Sequence, residues 1–195
     1  MLLYYYIGGI VATYLLGSLS SAIIVAKIWR LPDPRSRGSN NPGATNILRI
    51  GGKLPALCTL LGDGCKGFVP TLIASQMHLP TWVVGSVMLA ALLGHIWPIF
   101  FGFRGGKGVA TAMGAYLGLA WPVGGSLILI WASVIAISRI SSLGAIVATL
   151  LTPVVAWFLL QDITLTIFMT IMSAILLYRH KTNIRRLIKG EEKRV

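Results

Sequence analysis

Stretches without a single Asp, Glu, Lys or Arg run over residues 1–26, 67–103, 108–138, 140–161 and 163–178. A helix of about 20 apolar residues crosses the ~30 Å hydrocarbon layer of a bilayer, so the pattern predicts membrane-spanning helices throughout. Residues 1–26 form one span. Block 67–103 is too long for one crossing, and the polar run Ser75-Gln76-Met77-His78-Leu79-Pro80 divides it. This leaves spans near 54–75 and 82–102. Pro122-Val123-Gly124-Gly125 divides the next block into a short Gly-rich span at 108–120 and another at 124–138. Blocks 140–161 and 163–178 add two more, seven in all. At ~1.5 Å per residue, segment 108–120 is short for a full crossing and is also compatible with a re-entrant segment.

Composition agrees. Only 11% of the 195 residues are charged and 55% are hydrophobic, whereas soluble domains carry about 25% charge. Disorder and a collagen-like repeat are both excluded. Two cysteines cannot build a disulfide framework, and no Cys/His cluster has metal-ligand spacing, so no metal is expected.

The net charge of +12 would suit nucleic acid, anionic lipid or an anionic substrate. Placement separates them. Lys27, Arg30, Arg35, Arg37, Arg49 and Lys53 share one loop; Arg104 and Lys107 share another; Arg139 follows; and seven cations lie from Arg179 onward. The alternate loops hold none. Sixteen of the seventeen cations therefore fall on one side, which predicts an outside N-terminus and a cytoplasmic C-terminus. Without a basic n-region, residues 1–26 read as a retained anchor rather than a cleaved signal. The expectation is an all-α integral membrane protein with a single polytopic domain over 1–195. No fold that reads a nucleic-acid groove fits, and any chemistry must come from cytoplasmic loops and span ends.

Three such segments stand out, within 27–53, 94–111 and 178–195. In the first, Gly38 and Gly43 allow backbone N–H groups to converge, Ser39, Asn40, Asn41, Thr45 and Asn46 add side-chain donors, and Arg49 can grip a phosphate in bidentate fashion. The plain alternative is an ordinary Gly/Asn/Pro turn. In the second, Gly105, Gly106 and Gly108 surround Lys107 just before a helix, an anion-binding arrangement. It is not the nucleotide P-loop, because Gly108 stands where Ser or Thr is required. His95, nearby, reads as a satisfied helix-end histidine. In the third, His180 and Asn183 are i, i+3 neighbours where the last span emerges, followed by a basic tail suited to anionic lipid. Asp63 and Lys66 lie inside the second span, where ionisable groups cost ~2.5–3.5 kcal/mol each and therefore pair or line a polar pocket.

Cations and glycines converging at a membrane surface suit an enzyme acting on a phosphorylated, lipid-soluble substrate. A transporter of phosphate or a small organic anion ranks second; it would place charges near the midplane in repeated broken helices. A scaffold subunit ranks third.

Gly38-Ser-Asn-Asn-Pro-Gly-Ala-Thr-Asn-Ile-Leu-Arg49, Gly94-His-x-x-Pro…Gly105-Gly-Lys-Gly-Val-Ala-Thr111 and Tyr178-Arg-His-x-x-Asn-Ile-x-Arg-Leu resemble the bacterial acyl-phosphate:glycerol-3-phosphate acyltransferase family (PlsY). Gly17-Ser18, Ala26-Lys27 and Asp63-x-x-Lys66-Gly67 extend the resemblance over essentially the whole chain. Asn40 departs from a usual Gly, and Arg104 from a usual Lys. The resemblance implies a seven-span enzyme of the bacterial inner membrane that moves a fatty acyl group from acyl phosphate to the 1-hydroxyl of glycerol 3-phosphate. The products are lysophosphatidic acid and phosphate, in the first committed step of phospholipid synthesis, without metal, cofactor or acyl-CoA. Neither His95 nor His180 has an Asp five residues on, as thioester-using glycerolipid acyltransferases do, and no Ser–His–acid set is apparent. An already activated acyl phosphate needs chiefly placement, worth ~7–11 kcal/mol. On this reading Ser39, Gly43, Ala44, Thr45 and Asn46 hold acyl phosphate, while Arg49, Lys66, Lys107, His180 and Asn183 hold glycerol 3-phosphate. Arg49, Lys107, His180 and Asn183 carry the catalytic roles. The proton acceptor is either His180 or the substrate's own phosphate.

Overall fold

A computed structural model describes residues 1–194. Among these there is no strand. Ten α-helices follow one another: α1 (Leu2–Gly17), α2 (Ser21–Ile28), α3 (Ala44–Gly51), α4 (Lys53–Gln76), α5 (Thr81–Ile96), α6 (Val109–Leu119), α7 (Trp121–Ser138), α8 (Ser141–Leu160), α9 (Ile163–Arg179) and α10 (Lys181–Ile188).

Four helices, α4, α5 (extended by a 3₁₀ turn at Ile99–Phe101), α7 and α8, are long and apolar enough to cross a membrane unaided. Two bent pairs raise the number to six. The first predicted span breaks at Ser18-Leu19-Ser20, where α1 and α2 meet at 41°. The last bends by 59° between α9 and α10, with His180 at the joint. The third span runs over Thr81–Phe101, its α-helix stopping at Ile96 just before Pro98, which lacks a backbone donor, and a 3₁₀ turn completing it. Helix α3, not foreseen from the hydropathy pattern, is a short amphipathic element ending at Gly52, whose φ of +83° only glycine adopts easily.

The short segment near 108–120 is the eleven-residue α6. Its neighbours shield it: Thr111 through Tyr116 and Gly118 are all buried. It lies against α4 with the two backbones touching. A Cβ on Gly67 would overlap the Thr111 carbonyl, one on Gly114 the Gly64 carbonyl, and one on Gly118 the Phe68 carbonyl. Small residues at such a crossing let dispersion and close packing hold helices together where lipid offers no hydrophobic drive. Gly114 and Gly118 are thus a packing face, and the glycines at 62, 64 and 67 lie within helix α4.

Met88, Leu92 and Ile96 of α5, Tyr116 of α6, Leu127 of α7 and Met169, Met172 and Leu176 of α9 form the main core. The outward faces stay apolar, with Leu129, Ile137 and Phe158 each more than 65% exposed. An apolar exterior over an apolar core is the arrangement lipid requires, and it leaves one end of the bundle to carry the polar segments.

Candidate active site

The three polar segments meet. A cavity of about 820 Å³ opens at the cationic end of the bundle, lined by Ser39, Gly43, Ala44, Thr45 and Arg49 from the first segment, Lys107 and Gly108 from the second, and His180 and Asn183 from the third. Sequence separations of more than 130 residues are thereby closed. Deeper in, Leu61 and Phe68 of α4, Met113 and Leu117 of α6, and Ile128 and Trp131 of α7 continue the wall as an apolar slot.

The first loop is built around Asn46. Its buried amide accepts the Ser39 N–H at 2.8 Å and donates to the carbonyls of Pro34 at 2.8 Å and Arg37 at 3.0 Å. A Cβ on Gly38 (φ +66°) would overlap the same amide. Asn40 sits at φ +56°, a left-handed conformation that Asn tolerates better than other non-glycine residues. This loop delivers Gly43 to the start of α3, where the first-turn N–H groups of Ala44 and Thr45 have no intrahelical acceptor. The Thr45 hydroxyl lies 3.4 Å from that of Ser141. Arg49, one turn on, is exposed and has no ion-pair or hydrogen-bond partner among the described residues.

Two of the residues expected to meet ligand are also engaged within the protein. Asn46 lines the cavity while both of its amide atoms hold the loop. Lys66 is also engaged elsewhere: its Nζ donates to the Leu19 carbonyl at 2.8 Å and lies 2.9 Å from Asp63 Oδ1, and it does not line the cavity. Its burial at an α4 position facing the α1–α2 break explains why: a charge there must find its partners inside the protein.

The second loop crosses under the third. Gly105 and Gly106 donate to the carbonyls of Ile96 and His95, and Arg179 Nη2 donates back to the Gly105 and Gly106 carbonyls at 3.3 and 3.2 Å. Lys107 Nζ then reaches Asn183 Oδ1. Burial among Arg49, Arg179 and Arg186 pushes the Lys107 ammonium down to about 8, with Glu192 opposing the shift. In the third segment, His180 Nδ1 donates to the Leu176 carbonyl at 2.8 Å, since a carbonyl can only accept. In the neutral ring the lone pair is therefore on Nε2.

Glu192 was not anticipated. Its carboxylate accepts from Ser142 Oγ, Asn183 Nδ2 and Arg186 Nε. Asn183 is thereby held with its oxygen toward Lys107 and its nitrogen toward Glu192. The only sequence signal was an acid in a basic tail. Asp63 and His95 also line the cavity, with His95 Nδ1 3.5 Å from Asp63 Oδ1. Among the described residues no group of three or more His, Cys, Asp or Glu is placed to hold a metal ion.

Comparison with known proteins addresses the same residues. The model of the family described as glycerol-3-phosphate acyltransferase matches residues 7–190. The chain belongs to the glycerol-3-phosphate acyltransferase family. A glycerol-3-phosphate acyltransferase of Methylococcus capsulatus is 53% identical over 182 residues, covering 93% of this chain and 92% of the relative. One from Proteus mirabilis is 46% identical over 189 residues, covering 97% and 86%. Among solved structures, the crystal structure of PlsY (YgiH), an integral membrane glycerol 3-phosphate acyltransferase, in its glycerol 3-phosphate form, superposes with a TM-score of 0.94 at 35% identity, covering 98% of this chain and 96% of that one. The lysophosphatidic acid form of the same protein gives 0.91, with 97% and 95% covered. As a member of this family the chain is a membrane acyltransferase with several apolar spans.

Proposed function

We propose that the chain transfers a fatty acyl group from acyl phosphate to the 1-hydroxyl of glycerol 3-phosphate, releasing lysophosphatidic acid and inorganic phosphate. One observation carries this reading: a cup of Arg49, Lys107, His180 and Asn183 opens directly into an apolar slot between α4, α6 and α7. A phosphorylated head and an aliphatic tail need that combination.

The first-turn N–H groups of Ala44 and Thr45, with Ser39 and Gly43 beside them, receive the acyl phosphate. Arg49 and Lys107 receive the glycerol phosphate dianion, and His180 and Asn183 flank its hydroxyl. The hydroxyl oxygen attacks the acyl carbon, the bond from that carbon to the phosphate oxygen breaks, and the electron pair leaves with phosphate. The departing charge stays close to Lys107 and the α3 N-terminus, which favour negative charge. The hydroxyl proton passes to His180 Nε2 or to a phosphate oxygen. His180→Ala decides between them: a kcat near that of the wild type at saturating glycerol 3-phosphate assigns the proton to phosphate, and a loss of about 10²-fold or more assigns it to His180.

On the same reading α6 completes seven crossings, the N-terminus lies outside, and the cup and C-terminus face the cytoplasm at a bacterial inner membrane. The alternation of cation-rich and cation-free loops supports it. The test is phosphate release by purified protein given palmitoyl phosphate and glycerol 3-phosphate, with palmitoyl-CoA as parallel donor. Stoichiometric phosphate and lysophosphatidic acid are expected from palmitoyl phosphate alone. Activity only with the thioester overturns the donor, and anion uptake into vesicles without acyl transfer favours a transporter.

A further inference from the structure

His95 has no part in the chemistry above, yet it touches the glycine loop that packs against the first loop. It lies in the last turn of α5, 7% exposed, beside Asp63 of α4. Its carbonyl receives the Gly106 N–H at 3.3 Å, and a Cβ on Gly105 would overlap that carbonyl. A Cβ on Gly106 would overlap the ring at Nε2 and come within 2.8 Å of the Pro42 carbonyl in the first loop. The imidazole edge is therefore the surface on which the glycine loop rests. Asp63 is itself fixed: Lys66 Nζ lies 2.9 Å from its Oδ1 and also donates to Leu19, while Thr111 Oγ1 of α6 donates to the Asp63 carbonyl at 2.9 Å. Three helices, α4, α5 and α6, thus meet at Asp63, and the α1–α2 break joins them through Lys66.

We propose that His95 is a positioning residue for this site: held by Asp63, its ring sets the height of the Gly105–Lys107 loop and so the place of the Lys107 ammonium in the cup. The inference rests on the acyltransferase reading, because it assigns Lys107 to the phosphate of the acceptor. Gly106 is glycine because the ring occupies the space of a side chain, and the ring's Nδ1 edge is turned toward Asp63.

A double-mutant cycle tests it. His95→Asn keeps a donor toward Asp63 and withdraws the Nε2 edge; Gly106→Ala adds the overlapping methyl. His95→Asn is expected to raise KM for glycerol 3-phosphate about tenfold while kcat falls less than threefold. Its alkaline limb in kcat/KM should move upward by at least half a pH unit, since a displaced Lys107 regains water. Gly106→Ala alone is expected to lose 10²-fold or more in kcat/KM, and the double variant to return within about threefold of His95→Asn. Multiplying losses, or an unmoved KM and pH limb in His95→Asn, overturn the proposal. His95→Ala, tested beside it with equilibrium binding of labelled glycerol 3-phosphate, gives the same reading without turnover: binding weakened about tenfold is expected, and unchanged binding overturns it. Wild-type protein that binds glycerol 3-phosphate but makes no lysophosphatidic acid would instead sink the assigned reaction.

Discussion

At the scale of single residues, the site is a chain of oriented donors. Arg186 and Ser142 hold Glu192, Glu192 holds the nitrogen of Asn183, and the oxygen of Asn183 holds Lys107. Replacing Glu192 with Ala leaves Asn183 free to turn its nitrogen toward the ammonium, so kcat/KM is expected to fall about tenfold or more in steady-state assays, with Glu191→Ala as an inert comparison. Lys107 sets an alkaline limit. Its protonated form binds the phosphate dianion, and its position near 8 in the free protein means that kcat/KM for glycerol 3-phosphate falls as pH rises through that value. A profile flat to pH 9.5 would contradict this. Bound dianion favours the protonated lysine, so kcat should hold to higher pH than kcat/KM does. The residue types at Arg49, Lys107, His180 and Asn183 are legible in the sequence, because polar groups clustered in an apolar chain need a reason. Asn46 and Glu192 are not: an amide in a loop looks the same whether it meets a ligand or ties the loop to itself, and an acid in a basic tail looks like a surface ion pair.

Among the elements, the α4–α6 crossing does most to fix the site. It carries Asp63 and the slot residues on one helix and begins just after Lys107 on the other. Gly67→Leu pushes the two backbones apart. Thermal unfolding in detergent should fall by several degrees with loss of activity, while Gly125→Leu, where nothing lies within 4 Å of an added Cβ, should change neither. The blocks free of charge place most of these helices to within a few residues. The breaks at Ser18–Ser20 and His180, and the existence of α3, are hidden from the pattern. They depend on where a polar side chain or free carbonyl finds a partner across the bundle, as Leu19 does in Lys66.

For the molecule as a whole, the charge asymmetry and the cavity make a joint statement. Single cysteines at positions 39, 107 and 183 in a Cys58→Ser, Cys65→Ser background should resist a membrane-impermeant maleimide applied to intact cells, and one at position 78 should react. Labelling of the first group from outside would invert the orientation. The charge-free blocks suggest seven crossings, whereas four helices, or six with the two bent pairs, are long and apolar enough to cross; hydropathy gives no sign of how the brief α6 sits among them. That answer comes from packing.

The eleven-residue α6 shows lipid almost nothing, and one residue, Ala120, joins it to α7. A segment with so little to offer a bilayer by itself is a poor candidate for solitary insertion during synthesis. If it crosses, it would enter as one arm of a hairpin whose other arm is α7, and pack against α4, which precedes it in the chain. Biogenesis and catalytic competence therefore converge on the same step, and partly assembled chains should be inert.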